Sequence, residues 1–159
     1  MPKPNFSHQS IPFISPSQSL AVAAELSPEP IAINPVSMGN PHGVIFVDDV
    51  SSIDVKALGM ALSHHEAFPK QANIGFCQVL NKNSLKLRVF ERGAGETLAC
   101  GTGACAAVAV CVSQGLVEGR IKVSLPGGEL YIEWPDPEGP MKMIGDAQMV
   151  YEGTITLGQ

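Results

Sequence analysis

Cys100-Gly101-Thr102-Gly103-Ala104-Cys105 is the stretch in which residue type and spacing could do chemistry. It opens a run, Ala104 to Val112, in which every residue is apolar and most are small. Ser113-Gln114-Gly115 ends that run, and Gly115 is a natural helix terminator. Cys100 would then stand at the N-terminus of a helix. The first-turn N–H groups of a helix have no partner inside it. Gly101 and Gly103 add no side chains to cover those groups, so with the helix dipole they form a receptor suited to a carboxylate. A thiol at the same end has its thiolate stabilised and becomes a better base or nucleophile. Against this stands the plainer reading, that a Cys in an apolar segment is a small buried hydrophobe. Cys77, Cys105 and Cys111 take that reading; local chemistry leaves Cys100 open between the two.

Just upstream lies Glu91-Arg92-Gly93-Ala94-Gly95-Glu96-Thr97. Alternation along a strand puts Glu91 on the face of Leu85, Leu87 and Val89, with Lys86 and Arg88 on the other. A carboxylate on a core-facing side needs a partner or a function. Arg92 could clamp a substrate carboxylate with two parallel hydrogen bonds. Without Cys100 nearby, a surface Glu–Arg pair of little energetic weight is the preferred reading. Asn40-Pro41-His42 reads as a turn that by itself accounts for Asn and Pro, with His42 solvated. Asn73, entering a strand, is ambiguous.

These residues need elements to hold them. Ile31 to Met38 and Val44 to Val47 read as strands around the Asn40 turn. A helix is predicted from about Ser52 to His64, capped by Ser52, with Val55, Leu58 and Leu62 at helical spacing. Ile74 to Leu80 and Leu85 to Glu91 form a hairpin across Asn81-Lys82-Asn83-Ser84. Ile121 to Leu125 and Glu129 to Trp134 form another across Pro126-Gly127-Gly128. Met141 to Tyr151 would then pair with Thr154 to Leu157. A helix that is apolar all round must be buried all round. The expected class is α+β, mostly antiparallel strands wrapped barrel-like around one buried central helix. Residues 1–30, rich in Pro and Ser, read as an irregular junction leading into a domain at 31–159.

Composition narrows the function. Hydrophobic residues make up 45% and charged residues 16% of 159 residues, a globular balance for one domain. The net charge of −5 and the lack of a basic run argue against nucleic acid or an anionic membrane as partner. No apolar run reaches a membrane span, and the N-terminus has no signal-peptide core, so a cytoplasmic protein is expected. The four cysteines include no C-x-x-C pair, which disfavours zinc and thiol redox chemistry and favours free thiols.

The segment from Glu91 to Cys105 closely resembles the signature around the second active-site cysteine of diaminopimelate epimerases. Ser37-Met38-Gly39-Asn40-Pro41-His42 resembles that family's turn. Asn73-Ile74-Gly75-Phe76, Leu125-Pro126-Gly127-Gly128 and Tyr151-Glu152-Gly153 also fit. The resemblance implies a fold of two similar halves, each wrapping strands around a central helix, with substrate between them. It implies interconversion of LL- and meso-diaminopimelate in lysine and peptidoglycan synthesis, without metal or other cofactor. Two cysteines would face opposite sides of the substrate α-carbon, one removing a proton as thiolate and the other donating one as thiol. Cys100 would be one of them. Gly101 and Thr102 would offer backbone donors to the α-carboxylate. Asn40, Asn73 and Arg92 would hold the distal amino-acid end, and Glu91 would line the site. His42 and Glu91 would assist thiol proton transfer.

The family's other cysteine, in a Cys-Gly-Asn-Gly context, has no counterpart here, and Gly43 stands where the family is expected to have Cys. The chain therefore reads as the C-terminal half of such an enzyme, inactive without the N-terminal half because one thiol cannot serve both faces. The interface left open would favour self-association, including a homodimer. The competing expectation is a non-catalytic amino-acid-binding or assembly module that keeps the fold. A proline racemase-like isomerase is disfavoured by the Glu91–Thr97 stretch.

Overall fold

A computed structural model describes residues 1–23 and 25–156. The strands are β1 (Ser19–Leu20), β2 (Ile31–Ala32), β3 (Asn34–Ser37), β4 (Pro41–Phe46), β5 (Asn73–Asn81), β6 (Ser84–Glu91), β7 (Gly95–Thr97), β8 (Arg120–Leu125), β9 (Gly128–Glu133) and β10 (Lys142–Ile144). The helices are α1 (Val55–Ser63) and α2 (Gly101–Ser113). The main sheet runs β10-β9-β8-β6-β5-β4-β3, and β7 pairs β6 beside the end that β8 leaves free. Pairings are antiparallel except β4 with β5 and β6 with β8.

The sheet curls because α2 demands it. From Gly103 to Cys111 every residue of α2 is buried, so the apolar helix must be covered on all sides. It packs on β3, β4, β5 and β6 and also on β9, toward both ends of the sheet. Residues 1–5 span the seam: the Met1 ammonium donates to the Met141 carbonyl (2.9 Å) and Asn5 pairs with Ser37 of β3. The outer face carries a second core, where α1 lies on β5, β6 and β7. There Val55 and Leu62 pack with Phe76 and Phe90, and Ile11, Phe13 and Leu20 from the N-terminal segment complete the cluster.

Several boundaries differ from the sequence expectation, each for a local reason. The strand expected over Ile31 to Met38 breaks at Ile33, whose N–H turns to the carbonyl of Gln18. β4 begins at Pro41, so His42 is a strand residue 1% exposed rather than a solvated loop residue. The helix starts later than Ser52 because Asp54 caps it, accepting from the Ala57 N–H at 2.9 Å. Val50–Ser52 forms a separate 3-10 turn capped by Asp49. β7 was not expected, since three residues carry no period. The last strand stops at Ile144, and the described residues beyond it form no strand. Met149, Val150, Tyr151 and Ile155 are each more than 80% exposed. They pair with no strand among the described residues. Leu157 lies outside the described residues.

Candidate active site

Cys100 is the N-cap of α2, in extended conformation (φ −143°, ψ 103°), and its side chain does not cap the helix. The loop before it is fixed from outside. In the β8–β9 turn, the Gly127 N–H donates to the Leu98 carbonyl at 2.7 Å. A Cβ on Gly127 would come 2.9 Å from that same oxygen, so only glycine brings the two backbones together.

The thiol points at a carboxylate. Cys100 Sγ donates to Glu91 Oε2 at 3.2 Å, and the Thr97 hydroxyl donates to Glu91 Oε1 at 2.6 Å. Thr102 Oγ1 lies 3.6 Å from the sulfur. Gly103 leaves the sulfur room, since a Cβ there would sit tightly at 3.1 Å from a Val89 methyl and 3.2 Å from the Cys100 sulfur. Burial pushes the Cys100 thiol pKa up. Thr102 and the Gly103 N–H pull the other way, and Glu91 adds to the rise through its hydrogen bond and its charge. The helix end does pull the thiol pKa down through the Gly103 N–H, but the net shift is upward. Burial and a facing carboxylate outweigh it, and the resting sulfur is a protonated donor.

Above this thiol the first turn is bare. No acceptor among the described residues takes the N–H of Gly101 or Thr102, and the first helical bond is Ala104 N–H to the Cys100 carbonyl (2.9 Å). Met143 covers part of this end, with its sulfur 3.1 Å from where a Gly101 Cβ would stand. Nothing in the sequence marked Met143, a half-exposed strand residue.

The other expected residues gather at the same end of the sheet. His42 of β4 pairs in register with Asn73 of β5. The Arg92 N–H, at the end of β6, donates to Asn73 Oδ1 at 2.9 Å. Asn73 Nδ2 reaches the Pro41 carbonyl at 3.4 Å. The Arg92 guanidinium donates to the Lys70 carbonyl (2.9 Å), so Glu91 and Arg92 form no ion pair with one another. His42 Nε2 hydrogen-bonds Asn40 Oδ1 at 3.1 Å; an amide oxygen only accepts, so Nε2 carries the proton. Burial, helped by the charge of Arg92, lowers the His42 pKa to about 4. The structure brings Glu91 to the thiol, whereas the hydrogen bond of His42 goes to Asn40. Thr97, in the motif but given no role from sequence, completes the Glu91 site.

The remaining cysteines are free and buried. Burial raises the Cys105 pKa to about 11, and Cys77 and Cys111 touch sulfur to sulfur at 3.9 Å. A concavity of about 710 Å³ lies at the far end of α2 against Val112 and Ser113 and contains none of the site residues.

The family described as diaminopimelate epimerase matches residues 35–150. Among solved structures, a phenazine biosynthesis protein of the PhzF family from Bacillus anthracis is similar with a TM-score of 0.50 at 19% identity, covering 67% of this chain and 34% of that one. A probable proline racemase from Agrobacterium radiobacter K84, with bound carbonate, is similar with a TM-score of 0.52 at 11% identity, covering 80% and 45%. At such identities the likeness speaks to fold alone. The chain spans less than half the length of either structure.

Proposed function

Because the chain belongs to the diaminopimelate epimerase family, we propose that it supplies one thiol face of a cofactor-independent epimerase that interconverts LL- and meso-diaminopimelate. The observation that carries this reading is the Cys100–Glu91 contact beside two unpartnered N–H groups. In this reading the substrate α-carboxylate sits on the Gly101 and Thr102 N–H groups. Deprotonation at the α-carbon pushes charge into that carboxylate, and fixed donors there lower the barrier. The Cα–H bond breaks as its proton passes to the base on one face, its electron pair stays with the carbon and carboxylate, and the acid on the opposite face delivers a proton to the carbon. In the direction in which Cys100 is the acid, its thiol donates that proton. In the reverse direction Glu91 holds its proton while the thiolate acts as base. Asn40, Asn73 and Arg92, at the same end of the sheet, would hold the distal amino-acid group, with neutral His42 beside them.

A single thiol can address only one face of the α-carbon, so the second acid–base group belongs to another body. The candidate is the N-terminal half of such an enzyme, docking over the bare turn of α2. Leu98, 70% exposed beside Cys100, and Met143, 40% exposed, would lie in that interface. The proposed setting is the cytoplasm; among the described residues no helix is long and apolar enough to cross a membrane.

The test compares substrates. The chain, supplied with the other half of a diaminopimelate epimerase, is given LL-diaminopimelate or L-proline, and the products are resolved by chiral chromatography. Formation of the meso isomer is expected. Conversion of proline alone would overturn the assignment of substrate.

A further inference from the structure

We propose that Thr97 is a positioning residue for the proton acceptor of Cys100: it anchors one carboxylate oxygen of Glu91 and so aims the other at the sulfur. A carboxylate at a strand end can turn about its side-chain torsions and offer either oxygen in several directions. Here each oxygen has its own partner, Oε1 taking the Thr97 hydroxyl at 2.6 Å and Oε2 taking the Cys100 thiol at 3.2 Å. Thr97 has one hydroxyl proton to give. The Ala99 carbonyl, at 3.4 Å, is the weaker claimant, and a charged acceptor at 2.6 Å takes it.

The anchor is itself held in place. Thr97 pairs in register with Val89, and Gly95 with Glu91, so β7 folds back along the strand that carries the carboxylate. One residue before Thr97, Glu96 is gripped by both Nε (2.7 Å) and Nη2 (3.0 Å) of Arg88. The same guanidinium donates to the carbonyls of Val50 and Ile53 at 3.0 Å. A short hairpin without apolar period is thereby pinned where its hydroxyl meets Glu91. Thr97 reaches the sulfur only through Glu91.

This role rests on Cys100 being the proton-transferring thiol, but its geometry can be read without substrate. The measurement is the pH dependence of Cys100 alkylation by iodoacetamide in the whole chain, followed by peptide mass spectrometry. The titratable groups facing the sulfur are Glu91 from β6 and Cys105 from α2. Removing the facing carboxylate in Glu91→Gln lowers the alkylation midpoint. Thr97→Val, which lets Glu91 turn away, shifts it in the same direction by about half a unit, making alkylation at about pH 8 roughly threefold faster. Thr97→Ser restores the wild-type midpoint. In the Glu91→Gln background Thr97→Val adds no further shift, which a general loosening of β7 would not reproduce.

A wild-type midpoint in Thr97→Val, or a shift that adds to that of Glu91→Gln, overturns the proposal. If Thr97→Val does not fold by circular dichroism, Thr97→Ala against Thr97→Ser carries the same comparison. Failure here leaves the epimerase reading intact, and failure of turnover leaves the alkylation result standing.

Discussion

At Cys100 a helix dipole, a buried site and a carboxylate act on one sulfur, and their balance sets its resting state. Sequence placed the thiol at a helix start and Glu91 on the inward face, because both follow from local periods. It could not weigh burial against the dipole, since burial comes from strands far along the chain. His42 shows the same gap. Read as a solvated turn residue, it is a strand residue 1% exposed, because β4 begins at Pro41, three residues before the expected Val44. Its lowered pKa has a consequence for stability. The unfolded ring takes up a proton below pH 6.5, the folded ring only near 4. The stability owed to the neutral ring is whole above 6.5 and is lost as pH falls toward 4, by about 3 kcal/mol at about 1.4 kcal/mol per unit. Urea melts at neutral pH and near pH 4.5 should show the wild type losing more stability than His42→Gln. Equal losses would contradict the assignment.

Among the elements, α2 was legible because nine consecutive small apolar residues leave a helix nowhere to go but inside. The β5–β6 and β8–β9 hairpins were legible from alternation and turn residues. β7 was not, since its place comes from pairing with β6 and from the Arg88–Glu96 grip rather than from its own sequence. Gly59 of α1 had no distinguishing mark either. A Cβ there would lie 2.4 Å from Phe90 Cβ and 2.6 Å from its Cγ, so α1 can lie on β6 only with glycine at that position. An exposed helical Gly→Ala change gains about 1 kcal/mol. Gly59→Ala should instead destabilise by about 2 kcal/mol through overpacking, read as a lower denaturation midpoint. A raised midpoint would mean that α1 does not rest against Phe90 as described.

The molecule as a whole presents a half-built site. Cys100, Glu91 and the bare first turn of α2 form one wall, with Leu98 70% and Met143 40% exposed beside them; Met149, Val150, Tyr151 and Ile155 are each more than 80% exposed farther along the chain. Sequence could read Met141 to Tyr151 as a strand because its pattern is strand-like, but only Lys142–Ile144 pairs, and strand pairing is not written in local pattern. Apolar surface of this kind drives association. Sedimentation of the chain alone should therefore show concentration-dependent self-association that Leu98→Lys weakens. A clean monomer at high concentration would count against an open interface at this end. In the proposed reaction Cys100 exchanges the α-proton of diaminopimelate only when a second body completes the site. The direct measurement is α-deuterium incorporation into LL-diaminopimelate in heavy water, by mass spectrometry, for the chain alone, for the chain with the other half of a diaminopimelate epimerase, and for that mixture carrying Cys100→Ala. Incorporation is expected in the second sample only. Incorporation by the chain alone, or incorporation that survives Cys100→Ala, would contradict it.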